Sequence, residues 1–253
     1  MPLLPLTNGR APSGLSGSHG SGLRLPTVIR RVLRPPTLDF ETAVWELVYL
    51  LIAPTKVYKS LYYHKQTKNR WARDDPSFVL LLSALLAVSA LAWGLAYSPG
   101  VFAIFRLVGY MVLVDFFAVG VVIATAGYLI AGKLLRKTGH GHSQGRDELE
   151  WAYCFDVHCN AFLVIWVYLY VLQFLLLPLL TRSAWFAMFL GNSLYAVALA
   201  HYCVIAFYGY NALPFLAHTE LLLAPVPVIA VLYILSLFGF NVVKTMGSIY
   251  FGK

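Results

Sequence analysis

The sequence predicts an all-α membrane protein, a bundle of about five transmembrane helices preceded by cytosolic amphipathic helices. Apolar residues make up 59% of the 253 positions and charged residues only 12%, whereas a soluble protein carries about 25% charged residues. The uncharged run at 77–97 is long enough to cross a hydrocarbon core of about 30 Å. Eleven of the 19 lysines and arginines precede that run. Because such residues stay on the cytosolic side, we expect a cytosolic N-terminus and a luminal C-terminus.

Residues 1–38 are rich in Pro, Gly, Ser, Leu and Arg, and no acidic residue occurs before Asp39. The segment lacks the apolar core of a signal peptide. An organelle transit peptide has a similar composition, but we favour a disordered basic tail.

Two short helices are predicted within residues 39–76. Asp39 is a suitable N-cap for the first, which ends before Pro54, and the second occupies about 55–71. Both are amphipathic and too short to span a membrane. They either lie in the headgroup region of an anionic leaflet or cover the cytosolic ends of the bundle, and both interpretations can hold together.

The stretch KQTKNRWARDDP at 65–76 ends a strongly basic segment beside the first span. Each basic residue near an anionic leaflet contributes about 1 kcal/mol, so the group exceeds what an orientation signal requires. A tryptophan provides an anchor at headgroup level, and an acidic pair offers a contact for a protein partner. The predicted partner and membrane surface comprises Lys56, Lys59, Lys65, Lys68, Arg70, Trp71, Arg73, Asp74 and Asp75.

The transmembrane domain is expected at 77–240, followed by a luminal tail at 241–253. Asp75 and Pro76 suit the start of the first span. In the second span, small residues from Gly120 to Ala131 fall on one face, which favours close helix contact. The five predicted spans are 77–97, 106–132, 161–180, 184–208 and 221–240.

A group of potential metal ligands surrounds the start of the third span. Imidazole and thiolate are zinc ligands, but no pair here has zinc-finger spacing. The group comprises His140, His142, Cys154, Asp156, His158 and Cys159. We therefore predict no metal, and we interpret Asp156, His158 and Asn160 as a hydrogen-bonded polar cluster where this span enters the membrane.

Three polar residues lie inside the spans: Asp115, Asn192 and His201. Ionisable groups in such positions are candidates for function, and a proton or ion path is one interpretation. However, Asn192 and His201 lie on opposite faces of their helix, so we favour a buried polar pair that fixes the helix register.

No catalytic motif, phosphate-binding loop or dinucleotide-binding fingerprint occurs in the sequence. We therefore expect no enzymatic activity and no cofactor. The basic N-terminal region has no signature of an RNA-binding module, and the membrane surface explains the same charge.

Several stretches resemble the Unc-fifty (uncoordinated-fifty) family of Golgi multipass membrane proteins: DFETAVWELVYLLIAPTKVY at 39–58, YHKQTKNRWARDDPSF at 63–78, WAYCFDVHCNAF at 151–162, GN at 191–192 and GYNALPFL at 209–216. The resemblance implies a Golgi receptor or scaffold in vesicular transport. It also implies association with Arf guanine-nucleotide exchange factors, surface delivery of receptors and possible binding of membrane cargo receptors. The alternative is a small-solute, ion or proton transporter that uses Asp115 and His201.

Overall fold

The computed structural model describes residues 38–98, 100–137, 148–182 and 184–251, and these residues form an all-helical bundle. The tail predicted at 1–38 therefore lies, apart from Leu38, outside the described residues. Two short helices come first, α1 (Phe40–Ile52) and α2 (Pro54–Lys68). Asp39 caps α1, because its carboxylate accepts a hydrogen bond from the Thr42 amide at 3.0 Å. This contact and the Thr42 hydroxyl lower the pKa of Asp39.

Five further helices are long and apolar enough to cross a membrane, as the sequence predicts. They are α3 (Ser77–Tyr97), α4 (Val101–Leu134), α5 (Trp151–Leu180), α6 (Trp185–Asn211) and α7 (Thr219–Ser236). A last helix, α8 (Val242–Phe251), occupies most of the segment predicted as a tail.

The boundaries of three spans differ from the predicted ones for identifiable reasons. Helix α4 begins at Val101, five residues earlier than expected, because backbone hydrogen bonds continue past Arg106. Helix α5 begins at Trp151 rather than 161, since the polar residues at its start are buried and hydrogen-bonded. Helix α7 ends at Ser236, before Gly239, whose φ of +131° suits a turn that only glycine adopts readily.

Two spans contain π-helical segments, Tyr110–Ala118 in α4 and Trp166–Leu172 in α5. Such segments are rare and occur mostly as local bulges, frequently at functional sites. Both lie in the interior of the bundle, where Phe116 and Phe162 pack with their ring centroids 4.9 Å apart.

The small residues of α4 form the predicted close contact. Ala124 and Ala131 are fully buried. A Cβ atom added at Gly120 would lie 2.6 Å from the His158 ring, and one at Gly127 would overlap the Tyr210 hydroxyl. The glycines therefore allow α4 to approach α5 and α6 more closely than any side chain would permit.

One end of the bundle, called the Arg73 end below, is closed by the segment 69–76 and by the loop after α6. Asn69 ends α2 in the left-handed conformation, with its amide bonded to the Lys65 carbonyl. Phe215 packs edge to face on Trp71 with centroids 6.1 Å apart. Helices α3, α5 and α6 lead away from this end, and α8 packs against the opposite half of the bundle through Val243 and Gly191.

Candidate functional site

Arg73 is the centre of a buried polar network at the Arg73 end. Its backbone amide donates to Asp156 Oδ2 at 2.7 Å, and its Nη2 donates to Asn160 Oδ1 at 2.7 Å. Its Nε donates to Glu46 Oε2 at 3.0 Å. These contacts join the segment 69–76 to α1 and α5, so a single side chain fixes the position of three elements.

The network is charged and almost dry. The Arg73 side chain is 9% exposed, and those of Glu46 and Asp156 are 11% and 12% exposed. Burial alone would lower the pKa of the Arg73 guanidinium, but the two carboxylates outweigh burial and raise that pKa. The guanidinium also lies 4.4 Å from the centre of the Phe78 ring. Burial raises the pKa of Tyr58, which accepts a hydrogen bond from Asn160 at the edge of the network.

A second carboxylate holds the chain just before Arg73. Glu150 Oε1 accepts from the Trp71 amide at 2.8 Å, and Glu150 Oε2 lies 3.8 Å from Arg70 Nε. The indole of Trp71 is 3% exposed and packs on Tyr153. The predicted roles of Trp71 and Arg73 as surface residues therefore need correction, because both side chains are inside the protein. The sequence missed this because its basic pattern does not reveal the carboxylates that fold onto it.

Asp75 links the starts of two helices. Its Oδ1 accepts hydrogen bonds from the amide and the hydroxyl of Ser77, at 3.1 and 2.7 Å. Its Oδ2 accepts from the Asp39 amide at 2.8 Å. The residue caps α3, as the sequence predicts, and also ties α1 to it.

The other basic residues of the predicted surface stay on the outside of α2 and the segment after it. Lys68 and Arg70 form exposed ion pairs with Asp74, at 3.2 and 3.5 Å. Lys56 and Lys59 are exposed, and neither takes part in the ion pairs found among the described residues. The half-buried Lys65 lies over the Trp71 ring at 5.4 Å. We call Lys56, Lys59, Lys65, Lys68 and Arg70 the basic face.

The stretches that build this end extend over most of the chain and match a known family. A family model described as the UNC-50 family matches residues 28–251. The chain belongs to the UNC-50 family. It is 43% identical to Protein GMH1 of Saccharomyces cerevisiae, over 88% of this chain and 85% of that protein. It is 45% identical to the GMH1 homolog of Schizosaccharomyces pombe, over 88% and 95%, and 39% identical to the human unc-50 homolog, over 96% and 93%. No solved structure matches the chain.

In this UNC-50 family member, the three residues of the predicted membrane-entry cluster separate into two environments. Asp156 and Asn160 bond to Arg73, but His158 faces α4 and α6 instead. Its Nδ1 lies 2.8 Å from the Tyr202 hydroxyl, and its Nε2 lies 3.3 Å from the Phe116 carbonyl oxygen. Among the described residues no three His, Cys, Asp or Glu side chains are arranged to hold a metal ion. His140 and His142 lie outside the described residues.

The three intramembrane polar residues are not brought together. Two tyrosine hydroxyls donate to Asp115. Asn192 donates to the Phe240 carbonyl oxygen at 2.7 Å and accepts from the Val242 amide at 3.0 Å, so it fixes the turn between α7 and α8. His201 is half-buried, and its ring lies 6.0 Å from that of Tyr168. The expected buried pair is therefore replaced by three separate contacts.

Sequence reasoning missed the partners that complete these contacts. Glu46 was placed on an amphipathic helix and Glu150 in a loop, with no role for either. Tyr170 and Tyr250, which bind Asp115, are 80 residues apart in sequence. One signal for Glu46 was available: an acidic residue that falls on the apolar face of α1 next to Leu47 and Leu50 needs a buried cation.

Proposed function

We propose that this chain is a Golgi membrane receptor or scaffold in vesicular protein transport, that it associates with Arf guanine-nucleotide exchange factors, and that it supports surface delivery of receptors. The proposal takes its cellular setting from the resemblance to the UNC-50 family. The observation that carries it is the basic face: exposed lysines and an arginine displayed on a segment that Arg73 and Glu150 hold in place.

The proposal needs the Arg73 end to face the cytosol, where exchange factors act. The charge asymmetry of the sequence supports this orientation, with eleven of the 19 lysines and arginines before residue 77. A basic face in that position attracts an anionic leaflet and acidic surfaces of a protein partner at the same time.

The basic face is rigid, which favours recognition by a partner. Helix α2 is fixed at both ends, by Pro54 at its start and the left-handed Asn69 at its end. Its inner side buries Val57, Tyr58 and Leu61 against the bundle. A partner therefore meets basic side chains on a helix that is already ordered, so binding requires little loss of backbone entropy.

We expect the double variant Lys56→Gln with Lys59→Gln to reduce exchange-factor recruitment severalfold, because about 1 kcal/mol per charge is lost at the membrane surface. Neither side chain supports the fold through an ion pair described above, so insertion and abundance should not change. The measurement is the amount of Arf exchange factor on Golgi membranes and its co-isolation with the full chain from cells.

The matched control is Lys133→Gln with Arg136→Gln, which removes two exposed charges at the end of α4. The control should recruit the exchange factor normally. Equal recruitment by both variants and the unaltered chain would remove the basic face from the proposal. An equal loss in both variants would mean that net charge, and not this face, is what counts.

A further inference from the structure

A cavity of about 470 Å³ lies between α3, α4, α5, α6 and α8, inside the transmembrane domain. Its size falls within the range of small-molecule sites, about 300–1,000 Å³. Aromatic and aliphatic side chains form most of its wall, and no lysine or arginine lines it. Two polar side chains, Asp115 and Gln173, stand in this apolar wall.

The carboxyl group of Asp115 is only partly used by the protein. The hydroxyls of Tyr170 and Tyr250 both donate to the same oxygen, Oδ2, at 3.0 and 2.5 Å. Oδ1 receives none of the hydrogen bonds found within the described part of the chain, so it is available to a donor in the cavity. An acidic group at this depth is costly unless a partner compensates it.

Gln173 supplies a second acceptor without a donor. The residue is 5% exposed, and its buried Oε1 accepts no hydrogen bond from any described residue. Buried polar atoms are paired in the great majority of cases, so an unpaired oxygen in a cavity wall indicates a missing donor. The cavity thus presents two hydrogen-bond acceptors, one of them acidic.

The local backbone is adapted to this cavity. The π-helical segment Tyr110–Ala118 contributes Asp115, and the segment Trp166–Leu172 contributes Tyr170. Gln173 follows the second segment directly. Two irregular segments that face one cavity are a second indication of a binding site, since π-bulges concentrate at such sites.

We propose that this cavity binds a long-chain amine of the sphingoid amino alcohol class. Its alkyl chain would lie along the aromatic wall, its ammonium would donate to Asp115 Oδ1, and its hydroxyl would donate to Gln173 Oε1. The acidic group, the missing basic partner and the unpaired amide oxygen together select a cationic donor over a neutral or anionic lipid. The site is independent of the basic face.

The test uses the full chain in lipid nanodiscs with a photoreactive sphingosine probe. Labelling should saturate, map to peptides of α4, α5 or α8, and be displaced by unlabelled sphingosine. Asp115→Asn keeps an acceptor for both tyrosines and should weaken binding about tenfold or more, because hydrogen bonds to charged groups are the strong ones. Gly247→Leu should abolish binding, since Gly247 lines the cavity and a Cβ atom there meets open space.

Gly109→Leu is the matched control, a helical glycine in equally open space that does not line the cavity. Leucine favours a helix over glycine, so neither leucine variant should lose stability, and thermal unfolding checks this. The proposal is overturned if labelling does not saturate, or if Gly247→Leu binds as the control does. It is also overturned if an N-acylated sphingosine or a sterol competes as well as the free amine.

Discussion

Replacing Arg73 by alanine is expected to destabilise the protein by about 3–5 kcal/mol, the cost of leaving buried charges without their partner. The variant would strand the carboxylates of Glu46 and Asp156, which are 8% and 9% exposed as residues. It would also release the segment 69–76 from α1 and α5. The measurement is thermal unfolding of the purified chain in detergent, followed by tryptophan fluorescence.

Arg70→Ala is the control for this prediction. Arg70 lies three residues earlier, and its side chain is 56% exposed in ion pairs with Asp74 and Glu150. Exposed ion pairs contribute about 0–1 kcal/mol, so its unfolding temperature should change little. If the two alanine variants unfold at the same temperature, Arg73 is not the residue that holds this end together.

His158→Ala is expected to cost about 3 kcal/mol, comparable to other truncations of a buried ring. The ring is 2% exposed and packs beside Phe116 and Phe162. Its removal also leaves the Tyr202 hydroxyl without the nitrogen that it contacts at 2.8 Å. The same unfolding measurement applies, together with the metal content of the purified chain.

His201→Ala is the matched control, because His201 is half-buried and its ring contact with Tyr168 is a loose one at 6.0 Å. It should lower stability by less than about 1 kcal/mol. Zinc should be absent from the unaltered chain and from both variants. Stoichiometric zinc that disappears with His158 would replace the packing role by metal binding.

Much of the fold could be predicted from the sequence because it depends on local patterns. Five apolar runs of sufficient length, an N-cap at Asp39 and helix-stopping prolines and glycines predict the helices and their order. Local patterns do not show where charged side chains find partners. Arg73 reads as one more surface base until Glu46 and Asp156 fold onto it, and α5 starts at Trp151 because that pairing makes a polar helical turn tolerable.

The candidate site was predicted less completely for the same reason. The exposed lysines of α2 follow from helix periodicity alone, so the basic face matches the expectation except for Trp71 and Arg73. The cavity depends on π-helical segments and on Tyr250 in α8, and neither has a recognisable sequence signal here. The intramembrane acid Asp115 was identified as a candidate, but its contact with two tyrosines required the packing of three helices.

The most direct test of the account is the side of the membrane on which each terminus lies, since the proposed function requires a cytosolic basic face. Epitopes fused to Met1 and Lys253 can be exposed to protease in sealed Golgi vesicles, with a luminal marker to verify that the vesicles are closed. We expect the N-terminal epitope to be digested and the C-terminal epitope to be protected until detergent is added. Digestion of the C-terminal epitope in intact vesicles, with the N-terminal one protected, would place the basic face in the lumen and contradict the account.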